Sequence, residues 1–247
     1  MKRRSYAKPP IVEALVELRF VHDVSGDALM DTLSARLADS YSGERKQQEL
    51  VTFSAAVDAH SVAASARRAP HITFLQSDDG LRLIGCRTQT ISVHTLAPYP
   101  GWESFFAQVE EAVEALPGDL RAGGLSTISV RYIDRITLPV GDGSYLDFLT
   151  IMPTRPEPLP SVLSGFHFVT QANDPDDGTQ ALLTLASGPP TPTGEPVLVY
   201  DLLLQRTGEP LCSFDGREWQ SIVEELHERQ RGIFEASITD RTRELFE

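Results

Sequence analysis

Between residues 11 and 21 apolar and charged positions alternate. Val12, Ala14, Val16, Leu18 and Phe20 fall on one side of an extended chain, and Glu13, Glu17 and Arg19 fall on the other with Leu15 between them. That period of two predicts a half-buried strand, and Pro9-Pro10 before it holds the chain extended. The period then lengthens. Leu29, Met30, Leu33, Leu37 and Tyr41 recur at helical spacing, behind Ser25 or Asp27 as N-cap and ahead of Ser42-Gly43 as terminator. Strands are predicted over 50–57, 71–76, 81–86 and 90–96, with Asp79-Gly80 suited to a type I′ hairpin turn. Residues 61–69, small and polar, read as a mobile loop. A second helix follows Pro100-Gly101, its apolar stripe running Trp102, Phe105, Phe106, Val109, Val113, Leu116, and Pro117-Gly118 stops it.

The pattern then restarts. A strand over 128–138 leads to a short helix near 145–151, a proline-rich link over 153–160, and strands over 162–171, 179–186 and 197–205. Asp177-Gly178 again marks a hairpin turn. A long helix over 217–246 closes the chain, with Trp219, Ile222, Val223, Leu226, Phe234 and Ile238 on its buried face. Trp102-x-x-Phe105-Phe106-x-x-Val109 and Trp219-x-x-Ile222-Val223-x-x-Leu226 share one spacing. The prediction is an α+β protein of two similar halves, 1–120 and 121–247, in one compact unit. Each half reads strand, helix, antiparallel strands, long helix, and one curved sheet gripping one long helix buries its core. Side by side, two such halves resemble a TATA-binding-protein-like or helix-grip-like arrangement, a saddle-shaped sheet with its helices on one side.

Charge narrows the partners. With 35 acidic against 22 basic side chains the net charge is −13. That opposes the counterion release from which nucleic-acid binding draws its affinity, and it favours solubility and a basic protein partner. No apolar run approaches the roughly 20 residues that span a bilayer. The basic N-terminus has no signal-like apolar stretch behind it, so a cytoplasmic protein without membrane association is expected. Cys86 and Cys212 stand far apart in the sequence and read as two reduced thiols in preference to a disulfide.

Catalytic motifs are missing. There is no G-x-S-x-G, no phosphate-binding glycine loop, and no H-E-x-x-H among the six histidines. No catalytic residue, metal or cofactor is assigned. Polar residues inside apolar strands are more informative. Asp134 shares a face with Val130, Tyr132, Ile136 and Leu138, so it points inward and needs a partner. Asp201 interrupts the apolar run over 197–204 in the same way. The opposite face of the 128–138 strand carries Arg131 and Arg135, and the matching face of the first strand carries Glu13 and Glu17. Where the two strands lie close, a Glu–Arg constellation forms on the open sheet surface. It is either a set of structural ion pairs or a site for a polar ligand or peptide. His227, beside Leu226 on the closing helix, is placed to hydrogen-bond a neighbouring strand.

The segment Pro9-Pro10-Ile11-Val12-Glu13-Ala14-Leu15-Val16-Glu17-Leu18-Arg19-Phe20 resembles the N-terminal signature of an uncharacterised bacterial family of about this length, sporadically distributed among genomes. Arg131-Tyr132-Ile133-Asp134-Arg135-Ile136 is similar to that family's central strand, with Asp134 where asparagine is more usual. Asp201 and the run 227–239, with Phe234 and Ile238-Thr239, resemble its C-terminal pattern. The resemblance implies a bacterial cytoplasmic accessory protein of mobile-element, defence or toxin–antitoxin type. It also implies roles beyond packing for Glu13, Arg131, Tyr132, Asp201 and His227. Together with Glu17 and Arg135 these form the candidate binding set. The function expected is a non-enzymatic binding module for a protein partner or small ligand. The alternative is an enzyme or sensor acting on a nucleotide or other phosphorylated metabolite through the Glu/Arg site, and a homodimeric scaffold is a third.

Overall fold

The first strand, β1 (Ile11–Phe20), lies at the middle of the molecule. After it come α1 (Gly26–Arg36), β2 (Lys46–Gln48), β3 (Val51–Val57), β4 (Val62–Arg68), β5 (Ile72–Gln76), β6 (Arg82–Arg87), β7 (Thr90–Leu96), α2 (Trp102–Glu114) and α3 (Gly118–Gly123). The second part runs β8 (Leu125–Thr137), a 3-10 turn (Tyr145–Asp147), β9 (His167–Asn173), β10 (Gln180–Gly188), β11 (Val197–Cys212), α4 (Glu218–Ser237) and α5 (Asp240–Glu244). This computed structural model describes residues 4, 6–48, 51–57, 62–68, 71–141, 145–151, 165–214 and 216–247, with β3 and β4 described by their backbone. The chain is mixed α and β.

Nine strands form one antiparallel sheet in the order β2-β5-β6-β7-β1-β8-β11-β10-β9, and β3 pairs with β4 in a separate ribbon. Read inward from its edges, the sheet runs β2-β5-β6-β7-β1 and β9-β10-β11-β8. These two series meet at the antiparallel β1–β8 pair, where Val16 faces Val130 and Leu15 faces Arg131. Residues 1–120 and 121–247 therefore contribute to a single sheet.

The alternation read from β1 assigns its faces. Ala14, Val16 and Leu18 are buried, as are Ile128, Val130, Leu202, Leu204, Val93 and Ile84 on the neighbouring strands. Against that face lie α1, α2 and α4. Each fully buried aliphatic side chain adds about 2 kcal/mol of hydrophobic stabilisation. Arg36, at the end of α1, donates to the carbonyls of Ala115 and Leu116 at 3.0 and 2.9 Å, satisfying acceptors just past the end of α2. On the other flank, Arg206 of β11 and Arg229 of α4 both pair with Asp177, fastening the β9–β10 turn to α4.

Several local expectations are corrected. The segment read as a loop over 61–69 contains β4, whose small residues lack an apolar period but which pairs regularly with β3. The Asp79-Gly80 turn is not type I′. Only Gly80 takes a positive φ, +71°, and its N–H closes on the Ser77 carbonyl at 2.9 Å. The helix after Ser25 ends at Arg36, and Leu37 and Tyr41 reach the core from beyond it. The predicted closing helix breaks at Ile238, whose backbone is extended and bridges Leu149, and Thr239 then caps α5. The helix expected near 145–151 is the single 3-10 turn. The proline-rich link and residues 162–164 lie outside the described residues.

Candidate functional site

The candidate residues separate onto two faces of the sheet. On the open face, β1 presents Glu13, Leu15 and Glu17, and β8 presents Arg131 and Ile133. Glu13, Glu17 and Arg131 gather on this face and act on one another through their charges, but Arg131 hydrogen-bonds neither glutamate. Arg131 lies opposite Leu15 and Leu203 in the register, not opposite a glutamate. Its guanidinium instead makes two parallel bonds to Asp201, 2.8 and 2.6 Å long. Glu17 accepts from Arg87, which reaches across β7, at 2.9 Å, and Glu13 bonds His94 Nδ1 at 2.7 Å. The His94 bond holds the Glu13 carboxyl below the usual range despite partial burial, and the Asp201 bonds raise Arg131 further. Asp201 thus faces away from the core, contrary to the expectation that it shares Asp134's position: β11 alternates, and Tyr200 and Leu202 take the inward places. Arg135 stands apart, donating to the Pro189 carbonyl. Glu13, Glu17, Arg87, His94 and Arg131, with Leu15, Ile133 and Leu203, line a cavity of about 430 Å³.

The helix-covered face holds a different arrangement. Tyr132 and His227, distant in sequence, meet there at 2.9 Å between Oη and Nδ1. The Tyr132 hydroxyl also bonds that of Tyr99 at 3.2 Å, forming a Tyr99–Tyr132–His227 chain. Trp102 lies flat on the imidazole, centroids 3.8 Å apart and planes 2° from parallel. The expected strand partner of His227 is therefore β8. Burial drives the hydroxyl pKa of Tyr99 up to about 12 and raises that of Tyr132 well above its ordinary value.

A cavity of about 520 Å³ opens beside this chain, with Tyr99, Trp102, Tyr132, His227, Gln230 and Phe234 along its walls. The N-terminal segment crosses its rim. Tyr6 donates to Glu235 at 2.7 Å, Arg231 donates to the Arg4 carbonyl at 2.7 Å, and Arg135 N–H donates to the Pro10 carbonyl at 2.9 Å.

Asp134 also lines this cavity. It is 2% exposed and points inward as expected, yet among the described residues it has neither an ion-pair nor a hydrogen-bond partner. No described partner meets its burial, and the carboxyl is neutralised instead. Burial, with the charge of Asp201 across the sheet, pushes its carboxyl up to about 8, so that it keeps its proton at neutral pH.

Sequence reasoning missed Tyr99, Arg87 and His94. The sequence places Trp102 in an apolar stripe and in a spacing shared with Trp219, with nothing that pairs it with His227. His94 shares the period-two alternation of β7, but nothing in the sequence pairs it with Glu13. Among the described residues no group of three or more His, Cys, Asp or Glu side chains could hold a metal ion. No helix there is long and apolar enough to cross a membrane. Cys86 and Cys212 are both buried and free, and burial raises the Cys86 thiol to about 12. No protein-family model matches the chain, and no curated protein matches it.

Proposed function

We propose that the chain is a non-enzymatic binding module whose ligand is a small molecule held in the helix-side cavity. One observation carries this reading: Asp134 is buried in the central sheet, borders a cavity, and has no partner among the described residues. A carboxyl kept only for packing would be matched by a cation or by donors, because an unmatched one destabilises the fold. On the open face, by contrast, Glu13, Glu17, Arg131 and Asp201 each have a partner. They fit structural ion pairs across the strands.

The nucleotide or phosphorylated-metabolite reading has less support, since the Arg131 fork that would grip a phosphate is occupied by Asp201. Docking of a protein partner or a second copy gains little from the surface. Among the described large apolar residues only Val140 and Val169 stand exposed. The hydrogen-bonded Tyr99–Tyr132–His227 chain favours a second reading, acid–base chemistry on a ligand in the same cavity. The mirrored strand order supports two similar halves in a saddle-like sheet, of which this cavity occupies the helix side. The cytoplasmic accessory role implied by the family resemblance is compatible with such a binder.

Native mass spectrometry of protein purified gently from its host tests the proposal. A bound small molecule, lost on mild activation, is the expected result. A stoichiometric protein companion without any small-molecule adduct would overturn it.

A further inference from the structure

We infer that the cavity takes an organic ammonium ion, its charged head paired with Asp134 and its carbon body lying against Tyr99, Trp102 and Phe234. The inference rests on the reading of this cavity as a ligand site and names the class of ligand.

The argument begins with charge. Asp134 is the buried ionisable carboxyl of the cavity and lacks a counter-charge among the described residues. Of the charged residues at the rim, which include Arg4 and Glu103, Arg231 and Glu235 are engaged away from Asp134. Arg231 binds the Arg4 carbonyl, and Glu235 binds Tyr6 and Arg243. A ligand carrying a positive charge supplies what the interior lacks, and a salt bridge away from water is far stronger than one at the surface. An anionic ligand gains one hydrogen bond from the protonated carboxyl but brings a buried negative charge for which the interior has no cation. A neutral ligand gains the same hydrogen bond.

The walls agree with this assignment. Tyr6, Tyr99, Trp102, Tyr132 and Phe234 surround the space, and aromatic faces attract desolvated cations. The volume, about 520 Å³, lies within the roughly 300–1,000 Å³ of small-molecule sites. At longer range the net charge of −13 draws cations toward the protein and repels anions. Burial holds the proton on Asp134 while the cavity is empty, so that binding an ammonium near neutral pH releases that proton to solvent.

Titration calorimetry on the full chain at pH 8 separates the possibilities with probes sharing one carbon frame. These are 2-phenylethylammonium, 2-phenylethanol and phenylacetate, with tetramethylammonium as a compact second cation. The cations are expected to bind, the alcohol more weakly, and phenylacetate not at all. Asp134→Asn should weaken the cations by about tenfold or more and leave the alcohol unchanged. Trp102→Leu should weaken all binders. Should the alcohol or phenylacetate match the cations in the wild type, or Asp134→Asn leave cation binding intact, the ammonium assignment fails while the cavity stands as a ligand site. If none of the four binds at millimolar concentration, both readings fail.

Discussion

Trp102 and His227 stack face to face at 3.8 Å, joining the first turn of α2 to the middle of α4 above β8. Tyr132 holds the imidazole from the strand side, so the ring is fixed both by a flat contact and by a bond in its plane. An aromatic pair adds about 1 kcal/mol beyond its burial, and a hydrogen bond contributes about as much. Trp102→Ala, which loses the stack and the burial of the ring, should therefore lower stability by about 3 kcal/mol, and His227→Phe by about 1 kcal/mol or more, since phenylalanine keeps the stack and loses the Tyr132 bond. Urea denaturation measures both. Two variants indistinguishable from wild type would show that the stack does not hold the helices together.

Asp134 gives the protein a pH dependence whose sign is set by its raised carboxyl. In the unfolded chain an aspartate ionises near pH 4; in the fold it ionises at about 8. Between those values the unfolded state has lost a proton that the folded state keeps, so stability falls as pH rises through this window and levels off above it. At about 1.4 kcal/mol per pH unit, the loss by pH 7 is on the order of 4 kcal/mol. The surrounding tyrosines do not share this window, because burial raises Tyr99, Tyr132 and Tyr200 and they stay protonated. Asp134→Asn should be more stable than wild type at pH 7 and 8, with the difference shrinking toward pH 4. Urea midpoints at pH 4, 6 and 8 decide this, and a gain independent of pH would mean that the carboxyl is not the source.

The same residue shows how far the sequence carries. Its inward position was legible because a period of two assigns every residue of β8 to a face, and the faces of β1 followed from the same rule. The sequence pattern also led to the pairing of Tyr132 and Arg131 with opposite sides. Which partners those sides meet was not legible. His94, Arg87 and Asp201 come from other strands, and register across the sheet places Leu15 opposite Arg131. Tyr99 lies in the short link between β7 and α2, where no periodicity applies. The cavity depends on how the N-terminal segment crosses α4 through the Tyr6 and Arg231 bonds. β4 escaped because small residues carry no apolar rhythm, although their backbone pairs as well as any other.

The open-face ion pairs make the opposing prediction, because they lie across the sheet from the cavity. The His94 bond depresses the Glu13 carboxyl, so the stability it brings is present above the ordinary glutamate range and is lost as pH falls through the folded value. Glu13→Gln should cost about 1 kcal/mol at pH 7 and progressively less below about pH 4.5. Arg131→Ala leaves Asp201, with its side chain 18% exposed, without its cation, and should cost about 2 kcal/mol. Neither change touches the walls around Asp134, so phenylethylammonium affinity should stay within about twofold of wild type, a difference of about 0.4 kcal/mol. Stability and affinity, measured on the same preparations, separate the two faces. Affinity lost in both variants at unchanged stability would move the ligand to the open face and restore Glu13 and Arg131 as binding residues. Stability lost at unchanged affinity identifies them as the pairs that hold β1 and β8 to their neighbours.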